Sequence, residues 1–565
     1  MSSALTLPQA WLARCRERPA QVAMRHKRRG IWQPFAWSEY LASARAIGLA
    51  LDRLGLVPGD VVTVVSESRP EWLFVDMAAQ SMGFVSHAVY PTCSGRRIGS
   101  HLALAGTRVA FVEDAEQAAK LLASAERLPR LARVVAFEER GLRELDDPRV
   151  IGLGAFMAQD ETSTDPLFEQ RIAAGQGGDI GFLVGTAGST GAPRIAAFTQ
   201  ATALRQAAEM RSALGVADGD RILCFVPLAN AAERMLASVL PLLSDCLVHF
   251  PESPATVGND LREVEPHWVH APPRFWEKLQ ARTESAALRS APGAQRLYRR
   301  SVEGQSAGWL QRAARWQVRR TLGLSRVRQV FSGGAAASAS LARWYQGIGV
   351  PMVDLYESAE TCGPCPLLPS TSRVSQDGEL QVKPAALMAG YWRDGGLQPA
   401  PLTADGWLHT GDLALREPAG GWRVVGRIAD SFATASGARV APGAMEAALQ
   451  ASAFIAGAML VGAQRGHCAC LVSLEEESVL TYAQSRGIPF TDYGNLVQRP
   501  EVQALVQSEI DRLNASLAEG HRIRRFGLLP RALSVHDEEM TPALRIHRRL
   551  AERRFSEQIE ALYSA

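Results

Sequence analysis

The sequence predicts an α/β fold: a large N-terminal part with parallel sheets and a small β-rich region, followed by a smaller α+β C-terminal domain. Three observations predict it. Helical periodicity alternates with short apolar runs through the first ~170 residues, which argues for helices laid between parallel strands. At 565 residues the chain is too long for one compact core, given roughly 150 residues per domain. From Gly378 onward short strands and tight turns take over, and a second α/β stretch begins after Gly426-Arg427. The expected domains are residues 1–426 and 427–565.

In chain order, apolar residues recur at helical spacing over 37–54. Pro58-Gly59-Asp60 then turns the chain into the strand-forming run Val61-Val62-Thr63-Val64-Val65. Residues 70–82 read as the next helix and 84–89 as a strand. Val109-Ala110-Phe111-Val112 is a short apolar strand, followed by a helix over 115–125. Residues 160–178 are polar and glycine-rich and read as a surface link between two α/β units. Phe182-Leu183-Val184 is a further strand. In the β-rich part, 379–382 and 422–425 read as strands on either side of the Ala404-Asp405-Gly406 turn.

Composition narrows the function. Hydrophobic residues make up 47% and charged residues 21%, which excludes disorder. A net charge of +3 gives no reason to expect nucleic-acid binding. No apolar run reaches the ~18 residues of a membrane span, and residues 1–18 lack the basic-then-apolar layout of a secretory signal. A cytoplasmic protein is expected. The 61 basic residues comprise four lysines (Lys27, Lys120, Lys278, Lys383) and 57 arginines. Of eight cysteines, Cys362-Gly-Pro-Cys365 has redox spacing and could share zinc with His467-Cys468-Ala-Cys470. Its place in mid-chain, beside Pro364, Pro366 and Pro369, favours coincidence.

The segment Gly185-Thr186-Ala187-Gly188-Ser189-Thr190-Gly191-Ala192-Pro193-Arg194 follows the Phe182 strand. Small residues let backbone N–H groups approach a polyphosphate, hydroxyls add donors and Arg194 adds charge. It resembles the phosphate loop of the adenylate-forming superfamily, and the likeness continues in order along the chain. Ser332-Gly333-Gly334-Ala335 resembles the adenine-side glycine motif, and residues 356–360 stand where the family has Tyr-Gly-x-Thr-Glu. Asp405-Gly406-Trp407-Leu408-His409-Thr410-Gly411-Asp412 resembles the ribose-binding motif, and Gly426-Arg427-Ile428-Ala429-Asp430 the hinge. Pro70-Glu71-Trp72, Glu233-Arg234-Met235 and the run from Pro272 to Lys278 are similar to the long-chain fatty acyl-CoA synthetase branch.

The resemblance implies a two-step reaction. A fatty acid carboxylate attacks the α-phosphate of ATP to give acyl-adenylate and pyrophosphate; the thiol of coenzyme A then displaces AMP. It also implies a mobile C-terminal domain. In this frame Asp412 accepts the ribose hydroxyls, Arg427 reaches the sugar or phosphate, and Glu360 holds Mg2+ as both catalytic and metal residue. Thr186, Gly188, Ser189, Thr190, Gly191 and Arg194 wrap the β/γ phosphates, with Gly333 and Tyr356 beside the nucleotide. Arg545 stands where the family carries its adenylation lysine.

Several positions depart from the pattern. The phosphate-loop lysine is Arg194 and the next glycine is Ile195; two family histidines are Gln200 and Asn230. Glu357 and Ala359 replace glycine and threonine, which predicts repulsion of a polyanion by the new carboxylate. Ala429 stands where the hinge usually has Lys or Asp, and only 17 residues separate Glu360 from Gly378. An impaired acyl-CoA synthetase leads, with two other readings open: a non-catalytic acyl- or nucleotide-binding protein, and adenylate transfer to an acceptor other than coenzyme A.

Between Arg289 and Arg328 lie ten arginines and one acid, Glu303, with Trp309, Leu310 and Trp316 interleaved. Trp309, Ala313 and Trp316 share one side at helical spacing. Either this is a solvated helix with both tryptophans packed inward, or it makes peripheral contact with an anionic membrane surface.

Overall fold

The structure is a computed structural model that describes every residue outside 1–5, 159–164, 187–192, 304–307, 366, 385, 394, 418–420, 536, 542–544 and 565. Its largest element is a nine-stranded sheet, with Val61–Val65 and Val85–Val89 at its centre. Every residue of those two strands is buried, as a sheet covered by helices on both faces requires. Strands Thr107–Val112, Arg133–Ala136 and Val150–Gly152 continue it in parallel on one side. On the other side Ile180–Gly185 pairs in parallel with Val85–Val89. Ile195–Thr199 and Gly390–Arg393 then add antiparallel strands, so this sheet is mixed.

A second sheet of three parallel strands, Trp268–Ala271, Gln329–Gly333 and Met352–Leu355, aligns Ala271 with Ser332 and Gly333 with Leu355. Its carboxyl ends therefore lie side by side, where ligands of open parallel sheets bind. The expected β-rich part is the antiparallel sheet of Ser372–Val374, Glu379–Val382, Leu408–Arg416 and Trp422–Arg427. Beyond it, Ile455–Val461, Cys468–Leu474 and Ile523–Leu528 form a three-stranded sheet with a separate hydrophobic core.

The helices expected over 37–54 and 70–82 are Trp37–Arg53 and Pro70–Ser81. One expectation fails. Within residues 160–178, Leu167–Ala174 forms a helix whose Phe168 and Ile172 are buried, 0% and 3% exposed. Two apolar residues at i, i+4 are enough to seat a short helix, although the surrounding composition reads as a link. The cysteine clusters separate: Cys362 and Cys365 belong to the main core, Cys468 and Cys470 to the C-terminal one. Burial pushes the Cys365 thiol up to about 12, which disfavours the thiolate that redox exchange needs.

The N- and C-terminal parts touch through polar links. Arg274 pairs with Glu475, and Arg96 with Glu538. Beside Arg96 and Glu538 lies a cleft of about 590 Å³ that Arg553 and Arg554 also line. Among the described residues, no helix is long and apolar enough to cross a membrane.

Candidate functional site

The site forms where the three-stranded parallel sheet faces the antiparallel β-rich sheet. Asp412 and Arg427 are cross-strand partners on Leu408–Arg416 and Trp422–Arg427, so the sheet register itself sets them opposite one another. Arg427 Nε lies 2.8 Å from Asp412 Oδ1, and the Tyr356 hydroxyl donates to Asp412 Oδ2 at 2.7 Å. The Asp412 backbone N–H donates to Thr410 Oγ1 at 3.0 Å, and Arg427 Nη1 donates to the Thr410 carbonyl at 3.2 Å. Asp412 is 6% exposed and Arg427's side chain 30%. A carboxylate has about four acceptor positions, so two remain for a ligand's hydroxyls. Burial, and then the charge of Asp412, holds the Tyr356 hydroxyl well above its ordinary range.

Glu360 lies one turn of chain further on. Its Oε1 accepts from the Tyr391 hydroxyl at 3.0 Å, and the guanidinium of Arg194 sits 5.2 Å from the centre of the Tyr391 ring. Burial, then Glu360, raises the Tyr391 hydroxyl to about 12, so it stays a donor. Tyr391 escapes sequence reasoning because it belongs to no motif. Pairing of Gly390–Arg393 with the strand after Arg194 brings it in. The phosphate-loop ends meet: Thr186 N–H donates to the Arg194 carbonyl at 2.8 Å, and Arg194 N–H to Thr186 Oγ1 at 3.1 Å. Gly188, Ser189, Thr190 and Gly191 lie outside the described residues.

Arg545 reaches in from the C-terminal part, its Nη2 donating to the Gly334 carbonyl across 211 positions of sequence. Its charge and that of Arg427 both act on Asp430, whose carboxyl is nevertheless raised, chiefly by burial. The structure thus brings Arg194, Glu360, Tyr356, Asp412, Arg427, Gly333 and Arg545 into one neighbourhood.

The opposite wall gives Glu357 a partner that the sequence does not announce. Its Oε2 lies 3.3 Å from His270 Nε2, and His270 Nδ1 lies 3.0 Å from Glu233 Oε2. All three side chains are nearly sealed, between 3% and 9% exposed. Burial alone would lower the imidazole's pKa, but the Glu357 charge and both carboxylate contacts carry it up to about 10. Glu357 therefore shares a buried imidazolium with Glu233 rather than standing unpaired. The group also explains Gly333, since a Cβ there would stand 2.5 Å from His270 Nε2 and 2.7 Å from Glu357 Oε2.

Two of the other departures have structural partners. Gln200 accepts from Leu7 N–H and donates to Gln80 inside the core. Asn230 caps the turn that carries Glu233. The three segments similar to the long-chain branch meet in space: Arg234 pairs with buried Asp76 and lies 5.1 Å from the Trp72 ring centre, while Glu233 binds His270 just before Pro272.

Family comparison agrees with this architecture. The pattern of the AMP-binding enzyme family matches residues 9–386, and that of the AMP-binding enzyme C-terminal domain matches 429–565. The chain belongs to the AMP-binding enzyme family, the adenylate-forming superfamily. Among its relatives, long-chain-fatty-acid–CoA ligase FadD15 of Mycobacterium bovis is 27% identical over 97% of this chain and 95% of its own length. Human long-chain-fatty-acid–CoA ligase ACSBG1 is 24% identical over 96% of this chain and 83% of its own. The fold is that of the adenylation domain of a carboxylate reductase from Mycobacterium chelonae (TM-score 0.80, 19% identity, 100% of this chain and 92% of that one).

Proposed function

We propose that this protein activates a fatty acid as its acyl-adenylate, using ATP and Mg2+, and passes the acyl group to coenzyme A. The observation that carries this is the Tyr356–Asp412–Arg427 cluster, a carboxylate oriented on both oxygens with acceptor capacity left over. Its relatives named as long-chain-fatty-acid–CoA ligases supply the substrate class.

Asp412 binds the ribose diol, and Arg427, fixed beside it, places positive charge toward the phosphates. Arg194 and the ends of its loop hold the β/γ phosphates, while Tyr391 orients Glu360. Glu360 Oε2 has no hydrogen-bond or ion-pair partner among the described residues, which fits a carboxylate that takes Mg2+ with phosphate oxygens. Bound there, the metal supplies neutralisation of phosphate charge during transfer. Arg545 adds a cation from the C-terminal side, but its planar fork favours bidentate contact over the point charge of a lysine. That favours a slowed first half-reaction. The same observation supports the second reading, a nucleotide-binding protein with little turnover.

The domain boundary at 426/427 belongs to this proposal. It is supported by the main core reaching Ala414 and Val424 and the next one starting at Phe432 and Val440. ATP–pyrophosphate exchange with a panel of fatty acids, followed by thioester detection with coenzyme A, tests the whole. Exchange with thioester is expected. Exchange without it points to another acceptor, and neither, with AMP still bound, to the binding-only reading.

A further inference from the structure

We infer that the helical hairpin of Pro292–Val302 and Trp309–Leu322 is a docking surface for anionic lipid bilayers. Of the packed and docking readings of its tryptophans, the structure removes the first. Trp309 is 71% exposed, Trp316 52% and Leu310 48%. With Leu288, 63% exposed, they are four of the twelve large apolar residues exposed among those described, and all fall within 29 residues. Trp309, Ala313, Trp316 and Arg320 follow one another at i, i+4, i+7 and i+11, a single stripe that faces solvent.

Packing does not need that stripe. The hairpin's inner face is already engaged: Leu322 is in the core, with Val302, Val318 and Tyr298 against it. The Trp344 indole N–H bonds the Tyr298 hydroxyl at 3.0 Å, which pins the first helix to the body. Some arginines are structural too. Arg315 donates to the Ser301 carbonyl, and Arg319 to the carbonyls of Leu324, Ser325 and Val327. Arg326 and Arg328 pair with Glu265 and Asp220. Six others (Arg289, Arg296, Arg299, Arg300, Arg312, Arg320) are exposed and have no acidic partner among the described residues.

An indole stripe flanked by unneutralised guanidinium groups matches the interface of an anionic bilayer, where tryptophan sits at headgroup depth and arginine meets phosphate. Exposed Leu288 and Leu310 add aliphatic surface, which lipid rewards and a nucleic-acid strand does not. The helix Pro273–Leu288, 16 residues or ~24 Å long, separates this patch from the His270 wall. The patch is thus a tether for the whole protein, and the inference does not rest on its catalytic activity.

The test is co-sedimentation of the full chain with phosphatidylglycerol or phosphatidylcholine vesicles at 0.05 and 0.5 M salt, values on the order that brackets the Debye range. Binding to the anionic vesicles at low salt, its loss at high salt and a blue shift of tryptophan emission are expected. Each basic residue at such a surface strengthens binding about five-fold. Arg299→Ala/Arg300→Ala/Arg312→Ala/Arg320→Ala should therefore weaken it by at least ~100-fold. Trp309→Ala/Trp316→Ala should abolish the blue shift, with thermal unfolding and AMP binding unchanged for both variants. Equal binding to both lipids, no binding, or variants that bind like the parent would overturn the inference. So would tighter binding to single-stranded RNA than to vesicles, or a dimer that the tryptophan variant dissolves while vesicles go unbound.

Discussion

The two walls of the site solve opposite problems. Tyr356, Asp412 and Arg427 bond one another but keep one face toward solvent, with Arg427's side chain 30% exposed. Glu233, His270 and Glu357 are closed on themselves, none more than 9% exposed. The first wall retains the family residues and spends only part of its bonding capacity. The second has taken on a foreign carboxylate and set it beside a buried imidazolium that Glu233 also contacts. A departure from a family pattern can thus find its partner far away in sequence, and its surroundings cannot be judged from the motif alone.

Removing the imidazolium should break this comparison most severely. His270→Ala leaves two buried carboxylates without their cation and should cost about 3–5 kcal/mol of stability, read by urea unfolding. Glu357→Gly leaves His270 its Glu233 partner and should cost less than half of that. Alkali probes the same group. The folded-state pKa of His270 is raised to about 10 from about 6.5. Its contribution is therefore fully present below about pH 6.5 and is lost as pH rises toward 10. His270→Gln should flatten the stability profile over that window; an unchanged slope would show that His270 is not held protonated in the fold.

On the open wall, Asp412→Ala removes a carboxylate that accepts charge-assisted bonds and should weaken AMP binding by about 10–100-fold in calorimetry, and should cost about 1–3 kcal/mol in unfolding by stranding Tyr356 and Arg427. Arg545→Lys restores a compact ammonium yet should raise pyrophosphate exchange by less than about ten-fold, because groups acting as a unit are non-additive. Vigorous exchange from that single change would mean the arginine alone limits the reaction. Smallest is Tyr391→Phe, which frees Glu360 of one hydrogen bond worth about 1 kcal/mol and should change exchange by a few-fold.

Much of the fold could be read from the sequence, because periodicity is a local property. Val61–Val65 and Pro70–Ser81 lie where spacing places them. Asp412, Arg427 and Tyr356 were legible through motifs whose spacing reflects a strand pair and a strand end. What stayed hidden was relational. Glu357 reads as a repulsive charge until His270, 87 positions earlier, is seen beside it. Tyr391 carries no signature, and Leu167–Ala174 looked like a linker because two buried side chains are too few to register as a period. The orientation of Trp309 and Trp316 depended on which face of their helix the body had already filled.

The seam between the N- and C-terminal parts has a consequence for motion. Arg274–Glu475, Arg96–Glu538 and the Arg545 bond to the Gly334 carbonyl are polar, and the first two are at least partly wet. Such pairs contribute at most about 1 kcal/mol each in water and are weakened by salt. They act as a latch that is quick to release rather than a weld. Ionic strength should then shift how often these links between the two parts open.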